Sequence, residues 1–331
     1  MSQAANQSRT VVKMSKINTD SSASARHRAE IKVAELGIFD EFPFRQNFFD
    51  SPMGAMHFVD EGQGDPVVML HGNPTWSFLY RNIIPGIAAT HRVIAPDHIG
   101  FGLSDKSEEE SDYTLEAHID NLEALILELD LSNITLVMQD WGGPIGLGFA
   151  ARHPNRVKAL VVFNTFGFYP PIDGMNPDRL KLPAPLLLMR SKGIGDFMVR
   201  RLGFFERQVM KIATATKRSA KLRRAYTEIF QSYATRAGVM AFPRMIPNTT
   251  RHPAAKVLLE QTGPFLEQFH GPARIFWGDK DPLIPIGALS AWKKRLPQAK
   301  VTQLPDASHY LQDDQPEALT KGIADFLSEI S

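Results

Sequence analysis

Residues 134–144 read ITLVMQDWGGP, an apolar run followed at once by an acid, an aromatic and two glycines. The run suits a strand buried on both faces, and GGPIGLGFA after it suits a helix packed tightly against that strand. Asp140 therefore stands where strand hands over to helix, the place where a sharp turn holds a nucleophile above a sheet. Asp is also a common helix N-cap, and the stretch by itself does not separate the two uses.

Outward from this turn, short β-rich runs alternate with amphipathic ones. AMHFVD (55–60), PVVML (66–70), HRVIAP (91–96) and VKALVVF (157–163) read as strands. WSFLYRNIIPGIA (76–88) and YTLEAHIDNLEALILELD (113–130) carry apolar residues three and four apart, and in the second Leu115, Ile119, Leu122, Leu125, Ile126 and Leu129 share one face. From Thr165 to about Thr262 the strands stop, and helical pieces such as GDFMVRRLGFFERQVMKI take over. Strand logic returns at ARIFWG (273–278) and KVTQL (300–304), and a last helix runs from Asp313 to Glu329. The expected fold class is α/β, with a mostly parallel central sheet flanked by helices. The main domain spans 37–164 and 263–331, a helical cap is inserted at 165–262, and 1–36 reads as a flexible N-terminal extension.

Composition narrows the function. With 43% apolar residues in 331, a sizeable core is available, and a formal charge of +1 selects neither nucleic acid nor an anionic surface. The charge is uneven: Asp178 to Lys256 holds 17 Lys or Arg against 4 Asp or Glu, leaving 20 against 32 elsewhere. The basic side chains are spread through amphipathic helices without a nucleic-acid motif, so docking or self-association is the expected use. The absence of cysteine removes thiolate chemistry and fits a reducing cytoplasm, the expected location. No long apolar stretch suggests a membrane partner, and no His-x-x-x-His spacing suggests a metal; neither metal nor cofactor is expected. Sequons at Asn6, Asn133 and Asn248 are chance-level matches, and SEEES (107–111) reads as a solvated loop.

Other motifs decide between the two uses of Asp140. HGNPTW (71–76) follows one strand, where α/β-hydrolases place an oxyanion loop, and PDHIGFGLSDK (96–106) follows the next. WGDKDPLIP (277–285) sets Asp281 just past a strand, and PDASHYLQ (305–312) sets His309 before the last helix. Asp140, Asp281 and His309 thus occur in the chain order nucleophile, acid, base.

HGNPTWSFLYRNIIP, PDHIGFGLSDK, QDWGGPIGL and SHYLQ closely resemble the haloalkane dehalogenases, α/β-hydrolases with a helical cap, over about Phe48 to Glu329. The resemblance implies Asp140 as nucleophile, His309 as base and Asp281 as acid. It also implies that Asn73 and Trp141 bind the halide and that their backbone N–H groups form the oxyanion hole. The implied partners are a small apolar halogenated substrate and water. Asn164 stands where one branch of the family carries a Glu, so the sequence is similar to the third branch, whose large assemblies imply a possible homo-oligomer.

The residue chemistry agrees with this carry-over. A carboxylate is anionic at neutral pH and can displace a leaving group from sp3 carbon, and an imidazole can then activate water to hydrolyse the ester. Indole and amide N–H groups are donors suited to a departing halide. Asp281 is favoured over Asp279 as the acid because the last position of G-x-x-D suits the fold. Phe168, Met198, Phe204 and Phe205 are candidate pocket-lining residues, although core packing is the ordinary role for each. His71 reads as a buttress of the oxyanion loop, and His57, His98 and His118 as surface or packing residues. An epoxide hydrolase using cap tyrosines among Tyr169, Tyr226 and Tyr233 is one alternative, and a non-catalytic ligand-binding protein is a second.

Overall fold

Strands β3 (Pro66–Leu70) and β5 (Ile134–Asp140) are buried along nearly their whole length, as their uninterrupted apolar sequence requires. The computed structural model, which describes residues 22–331 apart from Arg179 and Pro285, sets them side by side in an eight-stranded sheet. The remaining strands are β1 (Asn47–Ser51), β2 (Gly54–Glu61), β4 (Arg92–Pro96), β6 (Val157–Thr165), β7 (Ala273–Gly278) and β8 (Lys300–Leu304). Their order is β1-β2-β4-β3-β5-β6-β7-β8, parallel from β4 to β8 and antiparallel at the β1–β2 and β2–β4 pairs. Strand β1, NFFDS, is a half-buried edge strand that the alternation of the sequence does not announce.

From β3 the chain steps outward to β4 and then back across to β5, so the strand order reverses between β3 and β5. Helices that leave a sheet in opposite directions open a crevice above the carboxyl ends of the two strands at such a point. The loop after β3 and the turn after β5 both open onto it. Leu70 pairs with Met138, which brings His71–Gly72–Asn73 level with Asp140.

The helix Leu115–Glu128, capped by the Thr114 hydroxyl accepting from Ala117 N–H at 3.1 Å, packs against the helix Gly142–Arg152. A side chain at Gly142 would collide with the Leu70 carbonyl, so glycine is what lets this helix start directly against β3.

Between β6 and β7 the described residues form only helices and turns. Most of this insert stands over the sheet. In its last helical stretch Pro253–Val257 instead packs against Leu115–Glu128 and 258–268 against Gly142–Arg152, so residues 253–262, counted with the cap from sequence, pack on the sheet domain. The N-terminal expectation also changes. Ser22–Leu36 is a helix that buries Ala25, Ala29, Val33 and Leu36, and Arg26 Nε donates to the Gln46 carbonyl at 2.9 Å. Residues 22–36 are therefore docked structure and not a flexible extension; residues 1–21 lie outside the described part. No described helix is long and apolar enough to cross a membrane.

Candidate active site

Asp140 ends β5 with φ at +50°, the left-handed region that a non-glycine residue occupies only under the constraint of its surroundings. The constraints are visible on three sides. Asn73 N–H donates to Asp140 Oδ1 at 2.8 Å, the Thr165 hydroxyl donates to the Asp140 carbonyl, and Gly142 begins a helix directly behind. A Cβ on Gly72 would fall on the Asp140 carboxylate. The oxyanion-type loop and the aspartate therefore fit together only because position 72 has no side chain.

His309 lies in the loop after β8 and is fully buried. Its Nε2 is 3.6 Å from Asp140 Oδ2, and its Nδ1 is 2.8 Å from Asp281 Oδ2. The loop is held from below and above: Asp314 accepts from Ser308 N–H at 2.9 Å and from Thr216 N–H at 2.9 Å, and Tyr310 N–H donates to the Ala213 carbonyl at 2.9 Å. The inserted helices thus grip the loop that carries the imidazole.

Asp281 is saturated with donors. Oδ2 accepts from His309 and from Asn164 Nδ2 at 2.8 Å, while Oδ1 accepts from the N–H groups of Leu283 at 2.7 Å and Ile284 at 3.1 Å. Burial alone would raise its pKa, but His309 and these backbone donors outweigh burial and hold it below the ordinary carboxylate value. Burial likewise works against a charged His309, yet Asp281 and Asp140 together push its pKa up to about 10. Asp279 takes no part, since it accepts from Gln303 Nε2 on the outside of the sheet.

Trp141, one residue past the acid, is buried with its ring edge-on to Phe166 at 5.0 Å and Phe242 at 5.1 Å. Its indole N–H has no hydrogen-bond partner among the described residues. Asn73 is less free: Nδ2 donates to the Val239 carbonyl of the insert at 3.3 Å, while Oδ1 is buried without a partner. One amide proton of Asn73 and the indole proton are thus donors without a partner among the described residues.

The structure brings Asp140, His309, Asp281, Asn73 and Trp141 into one constellation. It does not do so for all the pocket candidates. Phe168 packs behind the sheet against Trp292 at 5.1 Å, with the Arg295 guanidinium over its ring, so it belongs to the core. Phe205 is buried in the hydrophobic core, Phe204 is exposed and Met198 is half-buried; the ring contacts of Trp141 come from Phe166 and Phe242, which sequence reasoning passed over.

His71 does buttress the loop, with Nδ1 2.8 Å from the Gly72 carbonyl and Nε2 accepting from His98 N–H at 2.9 Å. His57, however, has an acid partner 40 residues away in sequence: its Nδ1 lies 2.8 Å from Asp97 Oδ2, in a fully buried pair. Asp97 also accepts from Ser77 N–H at 2.7 Å and Leu103 N–H at 2.8 Å, so it fastens the two loops together. His118 packs among the rings of Tyr113, His98 and Phe242, and burial drives its pKa down to about 3.

Residues 65–316 match the family described as the alpha/beta hydrolase fold, and the chain belongs to that family. It is 37% identical over 290 residues to the cis-3-alkyl-4-alkyloxetan-2-one decarboxylase of Shewanella oneidensis, covering 87% of this chain and 89% of that one. It is 33% identical over 288 residues to haloalkane dehalogenase 2 of Mycobacterium tuberculosis, covering 85% and 94%. Among solved structures, the haloalkane dehalogenase DatA of Agrobacterium tumefaciens C58 superposes with a TM-score of 0.75 at 27% identity, over 86% of this chain and 97% of that one. Within the α/β-hydrolases the chain stands with the haloalkane dehalogenases, in a sequence neighbourhood that also holds these decarboxylases.

Proposed function

We propose that the chain hydrolyses carbon–halogen bonds, converting a haloalkane and water to an alcohol, a halide and a proton, with Asp140 as nucleophile. The observation that carries this reading is a carboxylate at a strained elbow, 3.6 Å from a buried imidazole and one residue before a buried tryptophan whose indole N–H has no partner among the described residues. In the first step an Asp140 oxygen attacks the carbon, the carbon–halogen bond breaks, and the halide leaves toward Trp141 Nε1–H and the free amide proton of Asn73. Those donors stabilise charge that develops only as the bond breaks, which is where donors accelerate a reaction. In the second step water attacks the carbonyl carbon of the Asp140 ester and gives its proton to His309 Nε2. The oxyanion forms where Asn73 N–H already donates to Oδ1, and Asp281 stabilises the imidazolium through Nδ1.

Hydroxyl geometry weighs against an epoxide hydrolase. Tyr226 donates to Asp313 Oδ2 at 2.9 Å, Tyr169 donates to the Pro177 carbonyl, and Tyr233 is largely solvent-exposed. No pair among these three converges on Asp140.

A second reading rests on a specific observation, the 37% identity to an oxetanone decarboxylase. The same carboxylate can attack the ring carbon of a cis-dialkyl oxetan-2-one that bears the ring oxygen, so that the carbon–oxygen bond breaks and releases a carboxylate where a halide would leave. Cleavage of the bond to that carboxylate then forms the alkene, expels carbon dioxide and returns Asp140 to its ionised form without consuming water.

Incubating the protein with a chain-length panel of bromoalkanes tests the first reading: bromide and alcohol in equal amounts are expected. No bromide from any member, with alkene and carbon dioxide from a cis-dialkyl oxetanone, would replace it with the second.

A further inference from the structure

We infer that Gln139 is a positioning residue that opposes protonation of His309 Nε2, so that once Asp140 is esterified the imidazole is in the form able to take a proton from water. The inference rests on the nucleophile and base roles proposed above.

Gln139 is fully buried in β5, one residue before Asp140. Its Nε2 lies 3.3 Å from the His309 carbonyl oxygen and 2.9 Å from His309 Nε2. A carbonyl oxygen can only accept, so the end of the amide that faces it is the NH2 group. Toward a neutral imidazole the same NH2 donates to His309 Nε2, which accepts. The single imidazole proton is left on Nδ1, directed at Asp281 at 2.8 Å. Gln139 Oε1 is buried without a partner among the described residues, so none of them competes at the other end of the amide to turn it round.

Charged and titratable groups face the imidazole from several elements. Asp281 approaches from the loop after β7, Asp140 from the elbow, and the Tyr310 ring stands 5.1 Å away. Beyond Tyr310 lies Arg218 of the insert, paired with Asp313. Of these groups only Asp140 contests Nε2, because a carboxylate 3.6 Å away favours a proton there while Gln139 favours a lone pair. Alkylation removes the contest. The ester carries no charge and Gln139 remains, so an unprotonated Nε2 is favoured at the step that requires a base. Water then takes over the Nε2 lone pair while the Gln139 amide keeps its bond to the His309 carbonyl.

Nitrogen-15 NMR of His309 tests this directly, with Asp140→Asn as a neutral stand-in for the ester. Adding Gln139→Leu to Asp140→Asn should raise the apparent pKa of His309 by about one unit, the worth of one ordinary hydrogen bond. Gln139→Glu, which keeps the shape and supplies an acceptor, should raise it further; it carries the test alone if the leucine variant fails to fold. With bromobutane, Gln139→Leu should release the first equivalent of bromide within about twofold of the parent rate. Steady-state turnover at neutral pH should fall by up to about tenfold and recover in alkali. An unchanged His309 titration, or equal slowing of both steps at every pH, would overturn the inference. The titration needs no substrate, so a parent protein that releases no bromide would sink the dehalogenation reading and leave this test standing.

Discussion

The loops above the sheet and the helical insert over them are constrained by different means. Asp140 and Asp281 are fixed by short backbone donors, and close packing at Gly72 and Gly142 leaves no room for a side chain beside the elbow. The insert is looser toward solvent: the helix Ala184–Arg190 has no fully buried residue, and Leu187, Ile194 and Phe197 are about half exposed or more. It is fastened at a few charged points, chiefly Asp313, which meets Arg81 at 2.7 Å, Arg218, and the Tyr226 hydroxyl at 2.9 Å. The candidate catalytic groups are thus held by the sheet and its loops, and the insert, which touches them at Ala213, Thr216 and Val239, bounds the space above with its more exposed remainder.

Changes at the elbow should hit activity and spare the fold, whereas changes under the insert should do the reverse. Asp140→Asn should lower halide release by roughly 10⁴-fold or more, with an unfolding temperature close to the parent's. Gly72→Ala puts a methyl group on the nucleophile and should cost on the order of 10²-fold in kcat/KM, as displacements of about an ångström do. Asp313→Ala strands two buried guanidinium groups and should destabilise the protein by about 3–5 kcal/mol in urea titrations, more than either elbow variant. Phe197→Ser, on the exposed flank of the insert, should change stability by less than about 0.5 kcal/mol and leave kcat unaltered. A large stability loss there would mean the insert is as tightly built as the sheet.

The relay also gives stability a pH signature. The His309 pKa is raised to about 10 from 6.5, so its contribution is fully present below 6.5 and fades as pH rises toward 10. That of Asp281 is lowered from 3.8, so its contribution is present above 3.8 and is lost as the pH falls below that value. Denaturation midpoints measured across pH should therefore fall on both sides, and His309→Gln should flatten the alkaline side.

Much of this was legible in the sequence for physical reasons. Strands buried on both faces leave unbroken apolar runs, and an elbow needs small residues beside its central one, so ITLVMQDWGGP announced the sheet and pointed to the candidate site. The docked helix Ser22–Leu36 escaped because two of its four buried positions are alanine, which gives periodicity with little hydrophobic contrast. The His57–Asp97 pair and the Asn164 bond to Asp281 escaped because they join strands distant in sequence. Phe166 and Phe242 lie far apart in the chain and meet only across the Trp141 ring.

The central claim is that Asp140 attacks carbon. The direct measurement is the intact and peptide mass of the His309→Gln variant after exposure to bromobutane, where ester hydrolysis has lost its base. A butyl adduct on the peptide that contains Asp140, with one equivalent of bromide released, is the result this account requires; bromide release with no adduct, or an adduct on another residue, would contradict it.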